Sequence, residues 1–125
     1  MQRNGTQRVH ALLVDSELDS CRTISRYLQL HGMEVVEVDT LHEAQGCLSG
    51  QGEFDLLVTK LITPKQAEWR EWKNLVMHDI DVSLLIYGRH LDDWNKISGV
   101  IGRTAGFIGK PFTLSDFHWA LQQLL

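Results

Sequence analysis

The strongest constraint on the fold is a set of five short runs rich in apolar and β-branched residues, each followed by a stretch with helical spacing. The first run, 9–14, lacks polar alternation, as expected of a strand covered on both faces. The other runs lie at 34–38, 54–59, 82–87 and 105–108. Five strand–helix units in 125 residues predict an α/β fold, with a parallel sheet and helices on both of its faces.

Capping residues mark several of the expected helix ends. Gly32 is expected to end the first helix, and Thr40 to begin the second. Thr113 begins the last helix, with Asp116 three residues later as in a capping box. These signals support the boundaries that the apolar spacing indicates.

Length and charge limit the classes of protein to consider. A chain of 125 residues forms one domain with a real core, and we expect 1–8 to be a disordered tail before it. A net charge of -4 argues against direct nucleic-acid binding. The chain has neither an apolar run of about 20 residues nor a secretory signal, so we expect a cytoplasmic protein without membrane contact.

Three strand ends carry a resemblance to a known family. Residues 11–17 read Ala-Leu-Leu-Val-Asp-Ser-Glu, residues 54–64 read Phe-Asp-Leu-Leu-Val-Thr-Lys-Leu-Ile-Thr-Pro, and residues 106–112 read Gly-Phe-Ile-Gly-Lys-Pro-Phe. In this order and spacing they resemble the receiver domain of bacterial response regulators, of the chemotaxis-regulator type. The resemblance spans 9–125 and implies a flavodoxin-like sheet of order 2-1-3-4-5 with five helices. Whether the chain stands alone or belongs to a larger regulator or hybrid kinase stays open.

The resemblance also identifies what the chain lacks. Lys60 stands where receivers carry the aspartate that accepts a phosphoryl group, and a lysine amine cannot form an acyl phosphate. Asp15 matches the first of two acids after strand one, but Ser16 replaces the second, which is a direct metal ligand in the family. Glu17 is expected to begin the first helix and face solvent. The chain is therefore identified as an atypical receiver, a pseudo-receiver.

Two further positions complete this degenerate pocket. Tyr87, with Ile86 as the alternative alignment, stands where receivers have Ser or Thr, and its bulk would fill space that a phosphoryl group needs. Lys110 matches the lysine that contacts the phosphoryl group, and its bond to Pro111 is usually cis in the family. With two of three family carboxylates absent, we expect no bound metal.

We expect the Lys60 ammonium to pair with Asp15 and replace the charge of the missing metal ion, because an unpaired, partly buried carboxylate is costly. Asp55 offers no substitute acceptor. It precedes Lys60 by five residues, about 17 Å along a strand, and belongs at the opposite end of the sheet. Thr59 should point to the opposite face of the sheet from Lys60.

The loop after Pro64 departs from the family as well. Receivers commonly have a Gly-rich turn there, whereas 65–68 reads Lys-Gln-Ala-Glu. We expect a stiffer loop and an earlier start of the third helix.

The tryptophans divide into inward and outward positions. Trp69 and Trp72 share a helical face with apolar residues and should be buried or half-buried. Trp94 shares the face of Ile97 and is also expected to point inward, although it too is a candidate interface residue. Trp119 lies opposite the inward face of the last helix and is the main candidate interface residue.

Three functions remain open. The favoured one is a signalling domain that works through protein contacts without phosphorylation and is not an enzyme. Its partner would be a sensor histidine kinase, another signalling protein or, through the face of the last helix, a second copy of the chain. The second is a working phosphorelay receiver with another acceptor residue. The third is a small-ligand sensor, although Asp15-Ser16-Glu17 after strand one disfavours flavin, and we expect no cofactor.

Overall fold

The computed structural model describes residues 8–50, 53–78 and 81–125. The expected tail therefore lies, apart from Arg8, outside the described residues. Strands and helices alternate in chain order: β1 (His10–Val14), α1 (Leu18–Leu30), β2 (Glu34–Val38), α2 (Leu41–Ser49), β3 (Leu56–Lys60), α3 (Trp69–Val76), β4 (Ser83–Gly88), α4 (Leu91–Ile101), β5 (Gly106–Gly109) and α5 (Leu114–Leu124).

The five strands form one parallel sheet in the order β2-β1-β3-β4-β5. This confirms the predicted flavodoxin-like winding. The order reverses between β1 and β3, so the carboxyl ends of β1, β3 and β4 lie next to each other at one edge.

The sheet separates two apolar layers. One contains residues of α2, α3 and α4, with the fully buried Trp72 among its largest side chains. The other is formed with α1 and α5 and includes the fully buried Phe117 and Tyr87. Burial on both faces explains why β1 and β3 lack polar alternation.

Helix ends follow the predicted capping signals. The Thr40 hydroxyl accepts a hydrogen bond from the Glu43 N–H at 3.1 Å. Thr113 accepts from the Asp116 N–H at 3.2 Å, and the Asp116 carboxylate accepts from the Thr113 N–H at 2.7 Å, which completes a capping box. After α1, Gly32 has a φ of 79°, a conformation that glycine adopts without strain.

The predicted early start of α3 is wrong. The helix begins at Trp69, after residues 65–68. The Gln66 side-chain oxygen accepts from the Thr63 N–H at 2.9 Å, and the Gln66 N–H donates to the Thr63 carbonyl at 3.0 Å. These reciprocal bonds hold the segment in a turn, because they compete with helical hydrogen bonding.

Before this turn, β3 extends to Lys60, one residue further than predicted. Lys60 pairs in register with Tyr87 of β4, and this pairing brings Lys60 into the sheet.

Among the described residues, no helix is both long enough and apolar enough to cross a membrane.

Candidate functional site

The six residues of the degenerate pocket come together at the carboxyl edge of the sheet. Lys60 and Tyr87 are register partners at the ends of β3 and β4. Asp15 directly follows β1, and Lys110 directly follows β5. The structure thus has these side chains at the edge of the sheet that the strand ends predicted.

Asp15 is held by two hydrogen bonds and is almost completely buried, with 5% of its surface exposed. One carboxylate oxygen accepts the phenol proton of Tyr87, and the other accepts the Glu17 N–H at 2.8 Å. Since β3 lies between β1 and β4, the phenol reaches across the end of β3 to make this contact. Tyr87 is the next-to-last residue of β4, which ends at Gly88.

Burial of Tyr87 fixes its protonation state. Burial raises the pKa of the phenol well above its ordinary value, and the hydrogen bond to Asp15 and the negative charge of that carboxylate raise it further. The phenol consequently remains a donor to Asp15 throughout the neutral pH range. The Lys110 ammonium lies 5.4 Å from the centroid of the Tyr87 ring, within the range of a cation–π contact.

The predicted pairing of Lys60 with Asp15 is wrong. The Lys60 ammonium donates instead to a carboxylate oxygen of Glu17 at 3.2 Å. The Tyr87 phenol and the Glu17 N–H already occupy the Asp15 oxygens, so no metal-like charge is needed there. Both partners of the new pair are about half exposed, and surface ion pairs of this kind contribute little stability.

Glu17 is the acid that pairs with Lys60, an assignment that sequence reasoning missed. Its pKa is lowered by the hydrogen bond from Lys60, then by the charges of Lys60 and Lys110. The Ser20 hydroxyl donates to the second Glu17 oxygen at 3.3 Å and accepts from the Lys110 ammonium at 2.8 Å. Ser20 was also missed, although its place three residues after Glu17, one helical turn along α1, was a usable signal.

The backbone near Lys110 has the expected geometry, since the Lys110–Pro111 peptide bond is cis. Thr59 is buried on the other face of the sheet, where its hydroxyl accepts from the Trp72 indole N–H at 3.1 Å. Asp55 lies at the opposite edge and accepts from the His10 N–H, at the start of β1, at 2.8 Å. The expected placements of Thr59 and Asp55 are confirmed.

Receiver folds imply a Mg²⁺ ion at this edge, but the residues present do not fit one. Both Asp15 oxygens are engaged, Ser16 supplies only an exposed hydroxyl, and Lys60 brings an ammonium group. Within 8–50, 53–78 and 81–125, no group of three or more His, Cys, Asp or Glu side chains is placed to hold a metal ion. Mg²⁺ prefers a site with carboxylates that retain free oxygens.

The tryptophans lie as the helical spacing predicted. Trp119 is 66% exposed and borders a groove that Phe107, Pro111 and Asp116 also line. Trp94 is half-buried, and its ring stacks on Phe107 with centroids 5.7 Å apart and an angle of 7° between the planes. Trp119 is therefore available for contact, whereas much of the Trp94 surface is already used within the domain.

No protein-family model matches the sequence, and no curated protein matches it. Solved structures do match the fold. The chemotaxis response regulator CheY4 of Vibrio cholerae has a TM-score of 0.77 at 20% identity, and the match covers 95% of this chain and 100% of that chain.

Two further solved structures belong to the same class of domain. The non-phosphorylated HemR receiver domain from Leptospira biflexa has a TM-score of 0.72 at 25% identity, over 94% of both chains. A response regulator receiver domain protein from Clostridium thermocellum has a TM-score of 0.73 at 20% identity, over 93% of both chains. The fold of this chain is the receiver fold of two-component response regulators.

Proposed function

We propose that this chain is a receiver-like signalling domain that acts through protein contacts and does not accept a phosphoryl group. The observation that carries the proposal is the contact between the Tyr87 phenol and Asp15 across the end of β3. It closes the edge where receiver chemistry would take place and uses an oxygen of the acid that remains there.

The chemistry of Lys60 supports the same conclusion. Formation of an acyl phosphate needs a carboxylate nucleophile at this position. Lys60 has an ammonium group instead, and that group donates to Glu17. Asp55 does not replace it, because this residue lies at the amino edge of the sheet beside the start of β1. We accordingly propose that the chain is not an enzyme and that a second acceptor residue does not restore phosphorelay activity.

The surface around Trp119 is the proposed contact region. Exposed aromatic side chains are enriched among residues that dominate binding energy. We propose that this surface binds a sensor histidine kinase or another signalling protein, or a second copy of the chain. Direct contact with nucleic acid or with a membrane forms no part of the proposal, and a cytoplasmic location remains a prediction.

Self-association with and without a small phosphodonor and Mg²⁺ tests this proposal. Sedimentation of the wild type should give the same dissociation constant in both conditions. The Trp119→Ala substitution should raise that constant at least tenfold. Leu30→Ala, at another exposed apolar position, is the matched control and should leave association unchanged. Association that strengthens with phosphodonor would contradict phosphorylation independence. Should the wild type be monomeric, the same comparison applies to binding of a histidine kinase.

A second candidate function is sensing of a small anion. A cavity of about 360 Å³ beside the degenerate pocket is lined by Lys60, Arg89 and Lys110, with Glu17 and Asp93 as its acidic members. Three cations in one cavity attract an anionic group such as phosphate.

Titration of the protein with inorganic phosphate, followed by calorimetry, tests this second candidate. Arg89→Ala should weaken binding several-fold, whereas Lys96→Ala, at an exposed lysine of α4, should not. The absence of saturable binding in the wild type would remove the candidate.

A further inference from the structure

Two histidine side chains face each other where the end of α1 meets α5, away from the degenerate pocket. His31 Nε2 lies 3.2 Å from His118 Nδ1, and the two ring centroids are 5.3 Å apart. His31 is the C-cap residue of α1 and is half-buried, whereas His118 is exposed on α5. The two residues are 87 positions apart in sequence, so only the fold brings them together.

The hydrogen bond on the other side of the His31 ring determines which of its nitrogens is free. His31 Nδ1 lies 2.8 Å from the backbone carbonyl oxygen of Tyr27, which can only accept. The proton of a neutral His31 is therefore on Nδ1, and the lone pair of Nε2 points toward His118. A backbone carbonyl that orients the second nitrogen in this way is a common feature of metal-binding histidines.

The spacing of the two nitrogens matches a metal chelate. Two imidazole nitrogens bound to one Zn²⁺ at 2.0–2.1 Å, with a near-tetrahedral angle between the bonds, lie about 3.3 Å apart. The observed separation is 3.2 Å. In the metal-free protein the His118 Nδ1–H donates to this lone pair. When the His118 proton is on Nε2 instead, its Nδ1 also offers a lone pair, and the two nitrogens already have the separation of a chelate.

We propose that His31 and His118 form a two-histidine site for a divalent transition metal, with Zn²⁺ as the probe ion. Imidazole nitrogen is a favoured ligand for Zn²⁺ and Cu²⁺. Water completes the coordination, since the described residues provide no group of three or more His, Cys, Asp or Glu side chains around a metal position. The bound ion cross-links the end of α1 to α5 next to Trp119. This inference does not depend on the proposed function.

Calorimetric titration with ZnCl₂ tests the site. The wild type should bind one Zn²⁺ ion, and His118→Ala and His31→Ala should each weaken binding at least tenfold. His78→Ala removes an exposed histidine that follows α3 and is the matched control; it should bind as the wild type does. Equal Zn²⁺ affinity in wild type and His118→Ala, or the absence of saturable binding in the wild type, would overturn the proposal.

A second measurement avoids variants, because His31→Ala also removes the bond to Tyr27 that lies at the end of α1. In the wild type, the imidazole nitrogen resonances of His31 and His118 should shift together on addition of Zn²⁺, with those of His78 unchanged. Shifts spread equally over all histidines would show that Zn²⁺ binds without a specific site.

Discussion

At the scale of single residues, Tyr87 determines which groups pair in the pocket. A phenol at the end of β4 is long enough to reach Asp15 across β3, and it satisfies a carboxylate oxygen that would otherwise need a cation or water. Lys60 is thereby released to pair with Glu17 at the surface. Asp15 is stabilised by a hydrogen bond from the neutral Tyr87 phenol, whereas the sequence predicted an ion pair with Lys60.

The Tyr87→Phe variant should lose about 1.5–3 kcal/mol of unfolding free energy, because a buried charged acceptor loses its partner. Urea denaturation measures this loss. Tyr27→Phe, at the only other tyrosine, is the matched control and should change the unfolding free energy by less than about 0.5 kcal/mol. A loss in Tyr87→Phe no larger than in the control would mean that the Asp15 contact has little energetic weight.

Alkaline pH should destabilise the wild type more than Tyr87→Phe. The pKa of Tyr87 is raised in the folded protein, so above about pH 10 the unfolded chain releases a proton that the folded chain retains. Stability therefore falls as pH rises, by up to about 1.4 kcal/mol per pH unit for this one group. The difference in unfolding free energy between wild type and Tyr87→Phe should therefore shrink between about pH 9 and pH 11. Parallel pH profiles would contradict the raised pKa.

The Lys60→Ala variant should lose less than about 1 kcal/mol of unfolding free energy, because its pair with Glu17 is half exposed. This reverses the expectation from sequence, which placed the ammonium on a buried carboxylate. Lys96→Ala on α4 gives the reference for an exposed lysine. A loss above about 2 kcal/mol in Lys60→Ala alone would support a buried role for the ammonium.

Sequence reasoning identified six residues of the pocket, but neither Ser20 nor the hydrogen-bond partners. Strand ends and spacing determine which edge a residue occupies, and this was sufficient for Asp15, Lys60 and Lys110. The partners depend on side-chain reach and on competition for the same oxygen atoms. No spacing rule indicates that the Tyr87 phenol takes the Asp15 oxygen. The spacing of Ser20 from Glu17 indicates a contact between those two, but not the bond from Lys110 to Ser20.

At the scale of elements, α5 has one face buried in the core and one face exposed. Phe117 is fully buried in the layer that α1 and α5 share, whereas Trp119 is 66% exposed. The helical spacing of apolar residues was sufficient to predict this division. It was not sufficient to predict where α3 begins, because the turn before it depends on the bonds between Gln66 and Thr63.

Truncation of the two aromatic residues of α5 should therefore have opposite effects. Phe117→Ala should cost about 3–5 kcal/mol of unfolding free energy, through loss of buried surface and creation of a cavity. Trp119→Ala should cost less than about 0.5 kcal/mol while it weakens association. Denaturation and sedimentation on the same samples separate the two effects. A Trp119→Ala variant that is strongly destabilised would show that this side chain belongs to the fold rather than to an interface.

At the scale of the whole molecule, the chain retains the receiver architecture at about one-fifth sequence identity to the V. cholerae regulator. The five-stranded parallel sheet, the flanking helices and the cis Lys110–Pro111 bond keep the edge in place, and these features were all expected from the sequence. The polar groups at that edge satisfy one another, since Tyr87 donates to Asp15 and Lys60 donates to Glu17. Architecture depends on apolar spacing, which many sequences share, whereas chemistry depends on a few polar atoms.

The most direct test of phosphorylation independence is the intact mass of the wild type after incubation with a small phosphodonor and Mg²⁺. We predict an unmodified wild type, and likewise an unmodified Lys60→Asp variant, since Tyr87 still occupies Asp15 and Ser16 still lacks the second carboxylate. A variant that combines Ser16→Asp, Lys60→Asp and Tyr87→Thr should gain a labile phosphoryl group, which would show that the fold supports the chemistry once the pocket is restored. A labile phosphoryl adduct on the wild type would contradict the proposal and identify the chain as a working phosphorelay receiver.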